Sequence, residues 1–218
     1  ARVDALLERL PRLELLVTSG MRNLAAALKE QGIEPVVVQA FPNNSQDFTA
    51  VALAVKQSGA DVLGTYIPFE TDQGIFARQL RQLGVQAPWV GSASIVNVTA
   101  LKLAGPSLYN TFGVADYAEE SSDAARNFGK AYRAVMKLAP DNQSSWTFDA
   151  VTVLAKAINA AGKTDPKAIR EALLAIRGHE GAEGTYNFDQ NGDGLHGYNI
   201  VINNNDKIEY KEHIEFTD

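Results

Sequence analysis

Polar side chains suited to ligand binding follow three successive apolar runs of this sequence. They are Phe69 and Glu70, then Ser92, Ala93 and Ser94, and then Asp116. A carboxylate can hold an ammonium group and a hydroxyl can hold a carboxylate, so the set suits a small polar or zwitterionic ligand. The alternative is that serine and aspartate here are ordinary helix caps. Each position taken singly favours a cap, whereas the set taken together leaves both interpretations open.

Ser19 is a further candidate, at the first predicted turn from strand to helix. The turn Val17–Met21 holds a single glycine, which leaves too little backbone room for a pyrophosphate. A turn with a helix cap is therefore favoured over an anion site. The dinucleotide fingerprint GxGxxG is missing from every predicted strand-to-helix turn, and so is the phosphate loop GxxxxGK[ST].

Motifs for catalysis and metal binding are not found in the sequence. His179, His196 and His213 stand far apart, which disfavours a histidine metal site. No GxSxG elbow presents a serine nucleophile. A chain without cysteine has no thiolate nucleophile, disulfide or cysteine zinc site. The sequence therefore predicts a protein that is not an enzyme and needs no cofactor or metal, with an enzyme on a flavodoxin-like layer as the remaining alternative.

The segment Asp189–Gly194 matches the first half of a calcium-binding loop. The position where such a loop carries a bidentate glutamate is Ile200, so the strongest ligand is missing. A tight turn between strands is the favoured interpretation.

The candidate residues are positioned by apolar runs that alternate with amphipathic stretches. The runs are Leu13–Val17, Pro35–Gln39, Val62–Tyr66, Trp89–Val90 and Phe112–Ala115, and the stretches are Met21–Gln31, Asp47–Ser58, Thr71–Leu83 and Val98–Leu103. Strands and helices in strict alternation are typical of an α/β layer on a parallel sheet, here of flavodoxin-like type. Such sheets bind ligands beyond the carboxyl ends of their strands.

After about residue 117 the pattern changes to a helical section and a small β tail. Helices are predicted over 121–138 and 144–161, and Asp165 caps a third with Pro166 in its first turn. The tail is predicted to hold strands over Gly184–Phe188, Tyr198–Ile202 and Lys207–Tyr210, with a hairpin turn at Asn203–Asp206.

The overall composition narrows the class of partner. The 218 residues carry a net charge of −6 with scattered lysines and arginines, which argues against nucleic acid. No apolar stretch approaches the length of a membrane helix. No basic-then-apolar signal segment opens the sequence, although a mature secreted protein would have lost it.

Several segments of the chain resemble the branched-chain amino acid (Leu/Ile/Val-binding-like) type I periplasmic substrate-binding proteins of bacterial ABC transporters. The segments are Phe41–Ala50 with Ser58–Val62, Ala77–Gly91, Thr147–Val151 and Gly184–Asp193. The resemblance runs from about residue 13 to the C-terminus. It implies two α/β lobes joined by three crossing strands, which close on a ligand between them.

The resemblance also implies a division of the chain. Residues 1–117 resemble the second lobe, 118–196 are a helical section that packs on the first lobe in the family, and 197–218 return to the α/β lobe. The family's initial portion, which supplies most strands of the first lobe, has no match here. The apolar stripes of the helical section must therefore be buried by something else, which is a rearranged packing, a second copy of the chain or a partner fragment.

The resemblance places ligand contacts at Phe69 or Glu70 and at Ser92–Ser94. Ala93 stands where some family members have an acidic residue, which leaves Glu70 as the expected carboxylate. The loop at Thr18–Met21 is shorter than its family counterpart, and the family's main contacts to the α-carboxylate and α-amino groups lie in the first lobe.

Three hypotheses follow from the sequence. The first is a periplasmic solute-binding protein for an amino-acid-type ligand that works with transporter membrane subunits, in a truncated form that binds weakly or not at all. The second is a structural fragment that self-associates as a homodimer or with a missing-lobe partner. The third is the enzyme alternative.

Overall fold

The computed structural model describes residues 15–195 and 197–215, which divide into two compact units. Unit 1 holds the described residues up to Gly113 together with Asn203–Ile208, and unit 2 holds Val114–Ile202 and the described residues from Glu209 onward. The chain therefore passes from one unit to the other three times. The division at residues 117 and 196 that the sequence suggested stays a prediction.

Helices and strands follow one another in the order expected for an α/β chain. Unit 1 contains helices α1 (Leu15–Glu30), α2 (Thr49–Ser58), α3 (Glu70–Gln82) and α4 (Val98–Ala104), strands β1 (Leu63–Thr65) and β2 (Trp89–Gly91), and the start of β3 (Phe112–Ala115). Unit 2 contains α5 (Asp123–Met136), α6 (Asn142–Ala161), α7 (Pro166–Leu174), β4 (His179–Glu180) and β5 (Thr185–Tyr186). Strands β6 (Gly197–Asn204) and β7 (Lys207–Glu215) run through both units, and short 3-10 turns occupy Ala93–Val96, Gly105–Leu108 and Glu119–Ser121.

The main sheet has the strand order β1-β2-β3-β6-β7. Strand β1 pairs in parallel with β2, with Leu63 opposite Trp89. Strand β2 pairs in parallel with β3, with Val90 opposite Phe112. The predicted α/β class with a parallel layer, a helical section and C-terminal strands is confirmed.

An aromatic cluster forms the core of unit 1. The rings of Phe48 and Trp89 lie 5.9 and 5.6 Å from that of Phe76 in edge-on contacts. The indole N–H of Trp89 donates to the Thr65 hydroxyl at 2.9 Å, so its polar atom is satisfied although the residue is buried. Phe48, directly before α2, and Ala52 and Val55 within it stand at helical spacing and are all buried.

Unit 2 is organised by helix caps and a smaller apolar core. Asp165 accepts the Ala168 backbone N–H at 2.9 Å, with Pro166 in the first turn, so this predicted cap is confirmed. Asp141 caps α6 in the same way. The core residues are Val153, Ala157 and Ile176, against which Ile169, Leu173, Tyr186 and Phe188 pack.

Two predicted strands are wrong. Residues 15–17 form the first turn of α1, and residues 13 and 14 lie outside the described part of the chain. The valine-rich segment 35–39 is irregular, and Val36 is 71% exposed. A short apolar run does not distinguish strand from helix, and β propensity measures the fit to a half-buried pleated surface. Without that surface, three valines do not form a strand.

In the described ranges, no helix has the length and apolar character that crossing a bilayer requires.

Candidate functional site

Five of the seven predicted site residues lie together in unit 1, where β1 and β2 end. The Ser92 hydroxyl donates to the Ile67 carbonyl at 3.2 Å, and the buried Ser94 hydroxyl donates to the same carbonyl. The two hydroxyl oxygens are 3.3 Å apart. We call this surface, made of Phe69, Glu70 and Ser92–Ser94, the unit 1 edge.

The serines of the unit 1 edge are not helix caps. Ser92 precedes the 3-10 turn Ala93–Val96, but its side chain accepts no hydrogen bond from that turn. Each hydroxyl has one proton, and within this cluster both protons are directed at Ile67 or at the neighbouring serine. The two oxygens therefore remain as acceptors. The predicted role of these hydroxyls in holding a carboxylate does not fit this geometry, whereas an ammonium group would find acceptors here.

Glu70 and Phe69 flank the serines. Glu70 is the first residue of α3 and is half-buried, and the Asn97 side-chain amide lies 3.5 Å from its carboxylate. An acidic residue in the first turn of a helix is stabilised by the helix dipole. Phe69 is 41% exposed, so it presents an apolar ring beside the carboxylate. Asn97 caps α4 by accepting the Thr99 backbone N–H at 2.7 Å, which fixes its position.

Sequence reasoning missed two buried polar residues on α3. Asp72 accepts the Asn44 backbone N–H at 2.8 Å, and burial raises the pKa of its carboxyl. Gln73 is fully buried, and neither atom of its amide has a hydrogen-bond partner. An aspartate and a glutamine are common on the polar face of an amphipathic helix, so the sequence did not indicate that they are buried. Their position about one turn after Phe69 was the only sequence feature that pointed to them.

Ser19 lies inside α1, so the predicted strand-to-helix loop does not exist at this position. The error follows from the wrong first strand: the residues before Ser19 are already helical. Its role as a ligand contact stays a prediction.

Asp116 belongs to unit 2, and its contacts are with residues of that unit. Its carboxylate accepts the indole N–H of Trp146 at 3.0 Å, and its carbonyl accepts the Asn199 side-chain amide at 2.8 Å. Burial raises the pKa of the Asp116 carboxyl. Asp116 is thus not a helix cap, and its grouping with the unit 1 edge stays a prediction.

Unit 2 also contains a buried polar network that sequence reasoning did not find. Asp149 on α6 accepts the backbone N–H groups of Ala182 and Glu183 at 2.8 and 2.9 Å. The two carboxyl oxygens of Glu183 in turn lie within hydrogen-bond distance of the Ser145 and Tyr186 hydroxyls, at 2.9 and 3.0 Å. The partners stand more than thirty positions apart in the sequence, except for Tyr186, so no local pattern could indicate them. We call Ser145, Asp149, Glu183 and Tyr186 the unit 2 network.

The segment Asp189–Gly194 is a turn, as favoured from the sequence. One Asp189 carboxylate oxygen accepts the backbone N–H groups of Asn191, Gly192 and Asp193 at 2.8–2.9 Å. These bonds keep the pKa of Asp189 below its usual value. Over the described ranges, no group of three histidine, aspartate or glutamate side chains is placed to hold a metal ion.

Residues 16–205 match a family model described as periplasmic binding protein. The leucine-, isoleucine-, valine-, threonine- and alanine-binding protein of Pseudomonas aeruginosa is 27% identical over 168 residues, which are 76% of this chain and 44% of that protein. The Leu/Ile/Val-binding protein homolog 3 of Brucella melitensis is 28% identical over 174 residues, which are 77% of this chain and 45% of that protein.

Solved structures show the same fold. A leucine-binding protein from Thermotoga maritima superposes with a TM-score of 0.83 at 23% identity, covering 91% of this chain and 57% of that one. The substrate-binding protein of a branched-chain amino acid transporter from Streptococcus pneumoniae, solved with isoleucine, superposes with a TM-score of 0.79 at 23% identity, covering 89% and 56%. The chain therefore spans about half the length of the relatives it matches.

Proposed function

Since this chain belongs to the periplasmic binding protein family, we propose that it is the solute-binding component of an ABC transporter and that its solute is an amino acid. In this role it acts in the periplasm and delivers its ligand to transporter membrane subunits. It performs no catalysis. The relatives named above support this proposal because each carries a binding-protein name with branched-chain amino acids as ligands.

The observation that carries the proposal is the acceptor character of the unit 1 edge. Ser92 and Ser94 direct their protons at Ile67 or at each other and leave their oxygens as acceptors, and Glu70 adds a carboxylate. An ammonium group has three donors and no acceptor, so it matches this set. The half-exposed ring of Phe69 can contact an aliphatic side chain. We infer that this edge holds the amino end of an amino acid.

We expect the binding by this chain to be weak. A ligand at the unit 1 edge contacts the protein on one side. Binding costs the ligand translational and rotational freedom, and contacts on a second side would help to offset this loss of free energy. The expected dissociation constant for leucine is roughly millimolar, which corresponds to about −4 kcal/mol.

The class of ligand can be tested with leucine and two truncated analogues. 3-Methylbutylamine keeps the ammonium group and lacks the carboxylate, whereas 4-methylpentanoate keeps the carboxylate and lacks the ammonium group. We expect leucine and the amine to bind and the acid not to bind, as measured by protein-detected NMR titration. Binding of the acid alone would contradict an ammonium site.

The carboxylate is tested by Glu70→Gln. We expect the dissociation constants of leucine and the amine to rise about tenfold, because a charge-assisted hydrogen bond at a half-buried site is lost. Glu34→Gln removes an exposed glutamate of unit 1 and is the matched control, with no change expected. Equal effects of the two substitutions would show that only net charge matters.

A second candidate function, self-association, is favoured by the outer face of α6. This helix buries Val153 and Ala157, yet Phe148, Val151 and Leu154 on its other side are 47, 62 and 45% exposed. A helix that is apolar on both faces is typical of one that is covered on both. We propose that a second copy of the chain covers this face when nothing else does.

We expect multi-angle light scattering to detect a dimer of the unsubstituted chain and a monomer of Val151→Glu. Lys156→Glu also introduces a glutamate on α6, at an exposed position and with a net-charge change of −2 against −1, and should leave the dimer intact. A monomeric unsubstituted chain would contradict this second candidate and leave the solute-binding proposal unaffected.

A further inference from the structure

The unit 2 network has fewer hydroxyl protons than its contacts require. The phenol oxygen of Tyr186 lies 3.0 Å from one Glu183 carboxyl oxygen and 3.3 Å from an Asp149 carboxyl oxygen. A phenol has one proton and can donate it to only one of them. If both carboxyls were ionised, the other contact would place two oxygens together with no hydrogen between them.

The hydroxyl of Ser145 presents the same shortage. Its oxygen lies 2.8 Å from the Asn142 carbonyl oxygen and 2.9 Å from the second Glu183 carboxyl oxygen. The carbonyl can only accept, so one serine proton again faces two acceptors. Glu183 takes part in both shortages. One additional proton on Glu183 would satisfy one of them, whichever of its oxygens carries it.

Asp149 is the less suitable place for this proton. One of its oxygens accepts the backbone N–H of Ala182 and the other accepts that of Glu183, at 2.8 and 2.9 Å. Bonds from backbone donors stabilise the charged form of a carboxyl. Gly181 allows this approach, because a Cβ there would lie 2.5 Å from an Asp149 carboxyl oxygen.

The surroundings of Glu183 favour its neutral form. Only 6% of the residue is exposed. Burial is the largest influence and raises the pKa of its carboxyl. The Ser145 and Tyr186 hydroxyls lower this pKa and the charges of Asp116 after β3 and Asp149 on α6 raise it, and together these effects leave it at about 7. On the hairpin side, the ring of His179 lies 6.1 Å from that of Tyr186.

We propose that Glu183 is a protonated carboxylic acid in the folded protein below neutral pH, and that this proton fastens the β4–β5 hairpin to α6. Loss of the proton leaves Glu183 as a buried carboxylate beside Asp149 and removes one of the hydrogen bonds between the two elements. The hairpin is then a pH-sensitive element of unit 2. This inference is independent of the proposed solute-binding function.

The sign of the expected pH dependence follows from the two states. In the unfolded chain the carboxyl has the ordinary pKa of 4.5, and in the folded protein the pKa is about 7. Below the lower value both states hold the proton and stability is full. Between the two values the unfolded chain loses its proton first, so the folded state is progressively disfavoured. Across this window the unfolding equilibrium constant should rise roughly a hundredfold from this group.

Urea denaturation at pH 5 to 8 tests this expectation with Glu183→Gln, which is neutral at every pH and keeps the shape of the acid. The variant should not show the rise of the unfolding equilibrium constant with pH, and at pH 8 it should be more stable than the unsubstituted chain. Glu180→Gln, at an exposed position of β4, is the control and should keep the rise. A Glu183→Gln variant that keeps the full rise would overturn the proposal.

A direct readout does not depend on the folding of a variant. The unsubstituted chain labelled with carbon-13 at its glutamate side-chain carboxyls should show, at pH 6 in infrared spectra, one band of a neutral carboxylic acid that disappears as the pH passes 7. The isotope separates this band from the aspartates, including Asp116. If every labelled glutamate is ionised at pH 6, Glu183 does not hold the proton and the proposal is wrong.

Discussion

Replacing Phe76 by alanine is expected to lower the free energy of unfolding by about 3–5 kcal/mol, the range found when a buried phenylalanine is truncated. Phe76 is 2% exposed. Its ring contacts Phe48 and Trp89 edge-on and lies 6.4 Å from that of Phe41. The substitution leaves a cavity at the centre of these rings, which the neighbouring helices fill only in part. Urea denaturation followed by circular dichroism measures the loss.

The matched control for Phe76 is Phe69→Ala, the same truncation at a half-exposed position. We expect its effect on stability to stay within about 0.5 kcal/mol, as for most surface substitutions. Tryptophan fluorescence gives a second probe, since Trp89 lies in the cluster and Trp146 lies in unit 2. Equal losses for the two substitutions would contradict the assignment of the aromatic cluster as the core of unit 1.

Replacing Asp149 by alanine is expected to lower the free energy of unfolding by about 3 kcal/mol, since each buried donor left without an acceptor costs about 1–3 kcal/mol. The donors concerned are the backbone N–H groups of Ala182 and Glu183. Asp149 itself is fully buried, so water does not replace it. The expected loss is therefore that of two unpaired buried donors. Denaturation at pH 7 measures it.

Asp149→Asn separates the hydrogen bonds from the charge. Its amide keeps one acceptor oxygen for one of the two N–H groups, so the loss should be smaller than with alanine. Asp123→Ala is the control, because Asp123 forms an exposed ion pair with Arg126 that contributes about 0–1 kcal/mol. Faster hydrogen exchange of the Ala182 amide in Asp149→Ala than in this control would show that the hairpin loosens. A loss no larger than that of the control would contradict the anchoring role of Asp149.

The parts of the fold that the sequence predicted correctly are those that local patterns specify. Helices α2 and α3 follow from apolar residues at helical spacing. Strand β3 matches its predicted bounds because a β-branched and aromatic run is flanked by turn residues. Segment 35–39 is also rich in β-branched residues, yet it is irregular. A strand needs a neighbouring strand to pair with, and a local sequence pattern does not show whether one is present.

The candidate site was predictable in position more than in chemistry. The rule that ligands bind beyond the carboxyl ends of parallel strands led to Glu70 and Ser92; Ser92 bonds to the Ile67 carbonyl, three residues before Glu70, and ligand binding there stays a prediction. The direction of the hydroxyl protons depends on the Ile67 carbonyl, some 25 residues away, so the acceptor character of the edge was not visible. The unit 2 network depends on pairs such as Asp149 with Ala182, separated by 33 residues. Contacts between residues so far apart in the sequence cannot be inferred from residue spacing or from hydrophobic periodicity.

The most direct test of the binding proposal is a leucine titration of the nitrogen-15-labelled chain, observed residue by residue in NMR spectra. We expect saturable shifts at the backbone amides of Glu70 and Ser92–Ser94 at millimolar leucine, with the β4–β5 hairpin unaffected. An absence of shifts up to the solubility limit of leucine, or shifts confined to residues outside the unit 1 edge, would contradict the proposed amino acid site.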